Sequence, residues 1–580
     1  MKNNYYASPL MNRVRERLAR LYGPAAETLL SRFAMLTGRY GIADGPRAPS
    51  QNIDQRTSML IAYADSAQKP PAPSLAIMRQ FLEKYVGKAV THLHILPFCP
   101  ASSDDGFSVI HFRNVDRPFG KWPDLQALSR SYDLMFDLVL NHVSAKSGWF
   151  NDYIAGVAPG RHYFIETDPA GDFSAVTRPR STALLTPVMT YSGLKNVWTT
   201  FSADQIDLNY ANPDVLFEML DIMLFYIDMG ARVLRLDAIA YLWKQQGTDC
   251  LNRPETHEII RLMRDLISLT APDARLLSET NLPHAENVSY FGSGDEAHWV
   301  YQFSLPPLLL HALLRGTARY LAAWAEKLPP PPPGCAYLNI TGTHDGIGVR
   351  PLEGLVPEAE IAGLADHVVK LGGRVSTRRT GQEQNAPYEL NSTWFDALGG
   401  VAGDTPETHM ARFLCAQAIL MSFKGIPSVY FNTLLAAPND HVLAGRTGQN
   451  RSLNRGKWQL QNLEATIADQ TSATGRSLSA HLRMLKIRAE HPAFHPDGGQ
   501  KVAAVTDSAL GLERISPDGT ERILTLANLS SQPLRLERKN MQTHGWENHG
   551  TANLLTGHVI TRKDILHLEP YAVLWLTLSP

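Results

Sequence analysis

The stretch ARVLRLDAIAYLWK, residues 231–244, decides how the chain is read. Its first half carries the apolar bulk of a buried strand in Val233, Leu234, Leu236, Ala238 and Ile239, and Arg235 and Asp237 sit within that run. Two residues apart on an extended chain, the two charges project from one face. An unpaired buried charge costs several kcal/mol, so the pair requires a polar place at the strand end. The inside of a closed barrel, at the top where a pocket opens, is such a place.

Outward from this segment the same kind of run recurs. It is found in SMLIAYAD (58–65), VTHLHILPF (90–98), LMFDLVLNHV (134–143), ARLLSET (274–280), HWVYQFSLP (298–306), AYLNITGTHD (336–345) and IPSVYFNT (426–433). Most are followed by polar or Gly/Pro punctuation and then a helical pattern such as PETHEIIRLMRDLISLT (254–270). Strands alternating with helices predict parallel βαβ units, and eight of them suit a closed barrel better than an open sheet. The expected fold is α/β, a (β/α)8 TIM barrel with an inserted domain after strand three and a C-terminal all-β domain.

Two connections, 144–213 and 353–404, far exceed the roughly 2–6 residues usual for a βα loop, and both emerge at the C-terminal mouth of the barrel. Beyond 497 the pattern changes to GLERIS, RILTLANLS, PLRLER and YAVLWLTL, strands with turns between them. The expected division is an N-terminal helical segment over 1–54, the barrel over 55–143 and 206–496, an inserted domain over 144–205, and a β domain over 497–580. The LPPPPPG run at 328–334 reads as a stiff loop leading into strand seven, in preference to a polyproline ligand for a partner.

Composition narrows the function classes. With 55 basic and 56 acidic residues the formal charge is −1, so no global field draws in nucleic acid or a membrane surface. Cys99, Cys250, Cys335 and Cys415 are scattered without a CxxC pair, which argues against a disulfide framework or a zinc site. The N-terminus MKNNYYASPLMNRVRERLARLYG lacks the apolar core of a secretory signal, and the most apolar helical run carries Glu218, Asp221 and Asp228. The expectation is a soluble, cytoplasmic protein. No phosphate loop of the GxxxxGK[ST] type and no HExxH are present.

Position along the strands then singles out chemistry. Asp137, Asn141 and His142 close strand three, Arg235 and Asp237 strand four, Glu279 strand five, and His344 and Asp345 strand seven. A lone Asp after a strand is an ordinary helix cap, and His92 and His94 read as barrel-interior histidines. Three carboxylates with two histidines and an arginine at one barrel mouth are a different matter. They suit retaining glycoside chemistry, in which one carboxylate attacks and a second, kept protonated, acts as acid. On this reading Arg235 lowers the pKa of Asp237, and Glu279 keeps its proton among less cationic neighbours. The two carboxyls are expected about 5–5.5 Å apart.

At these residues the chain resembles the alpha-amylase superfamily, glycoside hydrolase family thirteen. The four short regions DLVLNH (137–142), VLRLDAIAY (233–241), LLSETN (276–281) and NITGTHD (339–345) stand in order, and the resemblance spans residues 55–580. It implies Asp237 as nucleophile, Glu279 as general acid/base and Asp345 as the carboxylate that binds the sugar hydroxyls. His142, Arg235 and His344 would complete the glucose subsite.

A finer resemblance is to the sucrose phosphorylase branch, carried by SSDDGFSV (102–109), SETNLPHAENVSYFG (278–292), THDGIGVRP (343–351) and RSLNR (451–455). It implies Asp104, Phe107 and Arg455 in the glucose subsite, and inorganic phosphate as the group that resolves the glucosyl-enzyme. TRPRS (177–181) resembles the branch's arginine loop and implies Arg180, and YELNSTWFDAL (388–398) implies Tyr388 and Glu389.

The chain departs from sucrose phosphorylases at Glu389, where they carry Gln, at Arg350, where they have another residue, and in YLWK, which puts Tyr241, Trp243 and Lys244 near the acceptor. With Lys370, Arg374, Arg378 and Arg379 these differences point to an anionic acceptor. The pattern resembles the glucosylglycerate phosphorylases, with phosphorylases of sucrose 6′-phosphate or sucrose, hydrolases or transglucosidases, and a non-catalytic amylase-like binding subunit as the alternatives. The resemblance implies a small glucoside and phosphate as partners, no metal or organic cofactor, and a monomer or homodimer.

Overall fold

The computed structural model of the protein describes residues 8–41, 53–380, 384–537, 551–560 and 565–578. Eight parallel strands close a barrel: β1 Met59–Ala62, β2 His92–Ile95, β3 Asp133–Val139, β4 Ala231–Asp237, β5 Arg275–Ser278, β6 Trp299–Tyr301, β7 Ala336–Asn339 and β8 Ile426–Tyr430. Each pairs with the next in the chain, and β8 returns to β1 with Ser428 opposite Met59. Seven lie within the runs read from the sequence, and β3 begins one residue earlier, at Asp133.

The strands hold because both faces are covered. In β4 every residue except Arg232 is buried, so apolar side chains are needed on the helix side and on the barrel side alike. Helices such as Pro213–Asp228 and Pro254–Thr270 form the outer layer. Each begins with Pro in its first turn, where the missing N–H costs nothing, and Asn212 caps the first by accepting the Asp214 amide.

The N-terminal helices Pro9–Tyr22 and Ala26–Tyr40 lie against this layer. Arg17 ties the first of them to Asp265 in helix Pro254–Thr270 at 2.8 Å. Among the described residues no helix is long and apolar enough to cross a membrane.

Both long connections carry structure of their own. After β3 the short strand His142–Ser144 pairs with Gln205–Asp207, followed in sequence by helix Gly148–Ala155 and the hairpin Leu185–Thr190/Gly193–Trp198. His142 therefore belongs to a separate strand rather than to the end of β3, because the chain turns at Leu140–Asn141. After β7, helix Glu358–Lys370 precedes the hairpin Arg374–Thr380/Gln384–Asn391, whose second strand also pairs with Ile347–Gly348.

The C-terminal region forms a six-stranded sheet in which Arg522–Asn528 lies between Ala509–Ile515 and Val573–Leu578. The expected strand PLRLER is found as Leu534–Leu536, and its last residue falls outside the described residues. The proline run forms an irregular lead into β7, pinned where Tyr337 donates its hydroxyl to the Pro329 carbonyl at 2.8 Å.

Candidate active site

Arg235 is the hub of the barrel mouth. Its register partner on β3 is Asp137, so both residues point into the barrel at one level. One terminal nitrogen of Arg235 lies 2.6 Å from Asp137 Oδ1 and 2.6 Å from Asp237 Oδ1. The other lies 3.9 Å from Glu279 Oε1 and 3.8 Å from Asp345 Oδ2. Below them His94 Nε2 meets Asp137 Oδ2 at 2.7 Å. The charge that looked awkward in a core strand is thus surrounded by carboxylates and is not left unpaired.

The end of β4 turns sharply. Ala238 takes a left-handed conformation, φ 50°, uncommon for a residue with a side chain. The turn aims the Ala238 amide at Glu279 Oε2, 2.9 Å away. Strain of this kind concentrates at functional sites and persists only where the surroundings enforce it.

The electrostatics correct one expectation. Burial pushes the Asp237 carboxyl up to about 8, outweighing the downward pull of Arg235, with the Glu279 charge pushing in the same direction as burial. Burial raises Glu279 as well. The two carboxyls sit too close in too dry a place for both to ionise readily, so the pair retains a proton. The 2.6 Å contact with Arg235 favours the charge on Asp237 and the Ala238 amide favours it on Glu279, so the proton belongs to the pair. Asp345 goes the other way. Burial opposes its ionisation, but Arg451, His344, Arg235 and Arg455 together hold it below the usual carboxylate range.

One pocket brings together Asp104, Phe107, His142, Asp237, Glu279 and Asp345 with Arg180, Tyr241, Tyr388 and Glu389. His344 lies flat against Phe107, rings 5.1 Å apart and 3° from parallel. His142 Nε2 is 3.0 Å from the Phe107 carbonyl. Arg455 sits behind this wall. It donates to the His344 carbonyl at 2.8 Å and pairs with Asp105 at 2.8 Å and Asp104 at 3.1 Å.

At the other end the Arg180 guanidinium lies over the Tyr388 ring at 5.6 Å and the Phe201 ring at 6.0 Å. Tyr241 packs edge-on to Phe201, and its buried hydroxyl has no hydrogen-bond partner among the described residues. Neither has the Arg350 Nε. The Arg350 charge bears on both Tyr241 and Tyr388.

Of the residues expected at the acceptor, Lys244, Trp243 and Arg350 are not among those lining the pocket. Lys244 Nζ is buried between Asp207 Oδ2 at 2.7 Å and Asn141 Oδ1 at 2.5 Å, a structural tie between the β3 exit and the inserted region. Trp243 packs partly buried against the hydrophobic core and is not among the pocket-lining residues. The turn Ile239–Tyr241 redirects the chain after Asp237, so Tyr241 faces the pocket and the next residues face the interior. The basic loop does not converge on the pocket either. Arg378 pairs with Glu353 at 2.5 Å, Lys370 and Arg374 lie outside the pocket lining, and the Arg379 side chain falls outside the described residues.

The pocket residues not anticipated include Phe201, Gln205, Asn281 and Arg451. Phe201 and Gln205 come from the inserted region, whose loops carry no periodic signal. Asn281 follows Glu279 by two, and its closeness to Gly348 requires glycine there, since a Cβ would meet the Asn281 amide at 2.3 Å. Arg451 stands four residues before Arg455 in the quoted RSLNR segment, and that repeat of arginine one turn apart was its signal.

Comparison with known proteins agrees with this architecture. The alpha-amylase catalytic domain family matches residues 84–322. The chain belongs to the alpha-amylase family. It is 39% identical over 98% of its length to the glucosylglycerate phosphorylase of Spirochaeta thermophila, of which 98% is covered. The glucosylglycerate phosphorylase of Escherichia coli is also 39% identical, over 90% of this chain and 92% of that one. In fold the chain is similar to the crystal structure of sucrose 6F-phosphate phosphorylase from Thermoanaerobacter thermosaccharolyticum. The TM-score is 0.74 at 23% identity, covering 89% of this chain and 99% of that chain.

Proposed function

We propose that the protein is a retaining phosphorylase that transfers the α-glucosyl unit of 2-O-α-glucosylglycerate reversibly to inorganic phosphate, giving α-glucose 1-phosphate and glycerate. The observation that carries this reading is the Arg180 guanidinium held over Tyr388 in the same pocket as the Asp237–Glu279 pair. A cation backed by an aromatic face at that point supports a phosphate as the second nucleophile. Likeness to glucosylglycerate phosphorylases along the whole chain supports glycerate as the acceptor.

The residues divide the work as follows. The Asp237 carboxylate attacks the anomeric carbon as the bond to glycerate breaks, and Glu279 gives its proton to the departing oxygen. The product is a β-glucosyl ester on Asp237, with Glu279 ionised. A phosphate oxygen then attacks the same carbon from the vacated side, its proton passes to Glu279, and Asp237 is released as carboxylate. Two inversions give net retention. Asp345, His344, His142, Asp104 and Phe107 hold the glucosyl ring. Arg235 remains beside Asp237 throughout and steadies its charge when it is displaced.

Supplying glucose 1-phosphate with glycerate, fructose, fructose 6-phosphate or glycerol, and measuring phosphate release, tests the reading. Fastest release with glycerate is expected. Fastest release with fructose or its phosphate would overturn the acceptor, and equal glucose release from the glucoside with and without phosphate would overturn phosphorolysis.

A further inference from the structure

Arg451 joins two acids that no motif connects. One terminal nitrogen lies 2.5 Å from Asp345 Oδ1. The other lies 3.0 Å from Glu389 Oε1, and Nε lies 3.3 Å from Glu389 Oε2. This two-pronged grip on a carboxylate is the arrangement that orients an arginine most firmly.

Glu389 is built into the wall. It is 1% exposed, and its Oε1 also accepts the Gly346 amide at 2.5 Å. Position 346 has to be glycine for this approach, because a Cβ there would lie 2.5 Å from Glu389 Cγ. Arg180 stands farther off, 3.9 Å from Oε2. Both oxygens of Glu389 are therefore engaged by the protein itself before any acceptor enters.

We infer that Glu389 is a positioning residue and not an acceptor ligand: it fixes Arg451 in the orientation that presents a cation to Asp345, and so sets the charge balance around the Asp237–Glu279 pair. The inference rests on the phosphorylase reading only for the identity of the acceptor that Glu389 leaves untouched.

The neighbouring groups give the effect a definite sign. Glu279 is faced by Arg235 and Asp237 from β4, by Asp345 and Arg451 across the pocket, and by Tyr241, Tyr301 and Tyr388. Glu389 is faced by Arg451, Arg180 and Tyr388. Removing the Glu389 charge leaves Arg451 balanced by Asp345 alone, which favours ionised Glu279. Removing the Arg451 charge does the opposite. Glucoside cleavage needs the proton of the Asp237–Glu279 pair, so the alkaline limb of kcat/KM reports its loss in the free enzyme.

The test is the pH profile of glycerate release from glucosylglycerate, with and without phosphate, for the native protein and for Glu389→Gln, Arg451→Gln and Arg451→Lys. The alkaline limb is expected to move to lower pH in Glu389→Gln and to higher pH in Arg451→Gln, each on the order of half a pH unit. In Arg451→Lys, which keeps the charge, it is expected to stay near the native position. A native limb in Glu389→Gln, with a raised KM for phosphate or glycerate alone, would make Glu389 a direct ligand and overturn the inference. Should Arg451→Gln fail to fold, Glu389→Gln, which keeps the shape of the side chain, decides with Arg451→Lys. If no protein forms glucose 1-phosphate, the phosphorylase reading fails, and the limb positions measured on hydrolytic release still decide the role of Glu389.

Discussion

A single nitrogen of Arg235 lies 2.6 Å from both Asp237 and Asp137. The arginine is therefore anchored from β3 while it serves β4, and its position does not depend on the group it stabilises. Asp137→Asn removes the negative charge of that anchor and keeps an oxygen to accept from Arg235, leaving the geometry of Asp237 intact. We expect kcat to fall by about 10²-fold, the scale of losing one preorganised electrostatic partner, with the KM for the glucoside little changed. Steady-state kinetics on purified, folded protein checks this.

Replacing the attacking group is more severe. Asp237→Asn is expected to lose at least about 10³-fold in turnover, since the amide cannot form the ester that divides the reaction in two steps. Phosphorus NMR of the native reaction should show only the α anomer of glucose 1-phosphate. Accumulation of the β anomer would refute double displacement.

Arg180→Gln isolates the second half-reaction. A hydrogen bond to a charged group contributes about 1.5–3 kcal/mol, so the KM for phosphate should rise about 10- to 100-fold. Glycerate release from the glucoside in the absence of phosphate should persist near its native rate. Equal loss of both activities would mean that Arg180 acts on the glucosyl ring.

The retained proton of the carboxylate pair sets the alkaline limit. Asp237 and Glu279 titrate together, and the upper step belongs to the pair, near the value of about 8 to which burial raises Asp237. Both groups are ionised above that pH, and no acid remains for the leaving oxygen. Activity on the glucoside is expected to be retained below about pH 8 and to fall tenfold per unit above it. Replacing the donor with one whose leaving group needs no proton should flatten that limb.

Lys244 tests the corrected assignment. Lys244→Met leaves Asp207, fully buried, without its cation at 2.7 Å. Breaking a buried pair from one side costs about 3–5 kcal/mol, which urea unfolding would read directly. The KM for glycerate should not change in whatever fraction stays folded.

These contrasts show what the sequence could carry. The barrel was legible because each strand is buried on both faces and so reads as a short apolar run of fixed kind. Asp237 and Glu279 were legible because strand ends in a barrel converge, so linear position implies spatial position, whereas Asp345, well past the end of β7 at Asn339, was legible from the NITGTHD segment. That logic stops one turn past the strand. Tyr241 and Lys244 are three residues apart and face opposite ways, because a left-handed Ala238 and the turn after it decide direction. Arg451 was hidden for another reason. Its partners Asp345 and Glu389 lie on distant segments, and only the folded chain brings the three together.

The amide of Ala238 that holds Glu279 has a wider bearing. It makes the peptide unit at the exit of β4 the spacer between Asp237 and Glu279, so their separation belongs to the scaffold rather than to the loops above. The far end of the pocket is assembled from other segments, Arg180 and Phe201 before β4 and Tyr388 after β7. A chain wired in this manner can exchange what it accepts while its reacting atoms keep their alignment. Laboratory retargeting should accordingly begin with those segments and leave the turn at Ala238 alone.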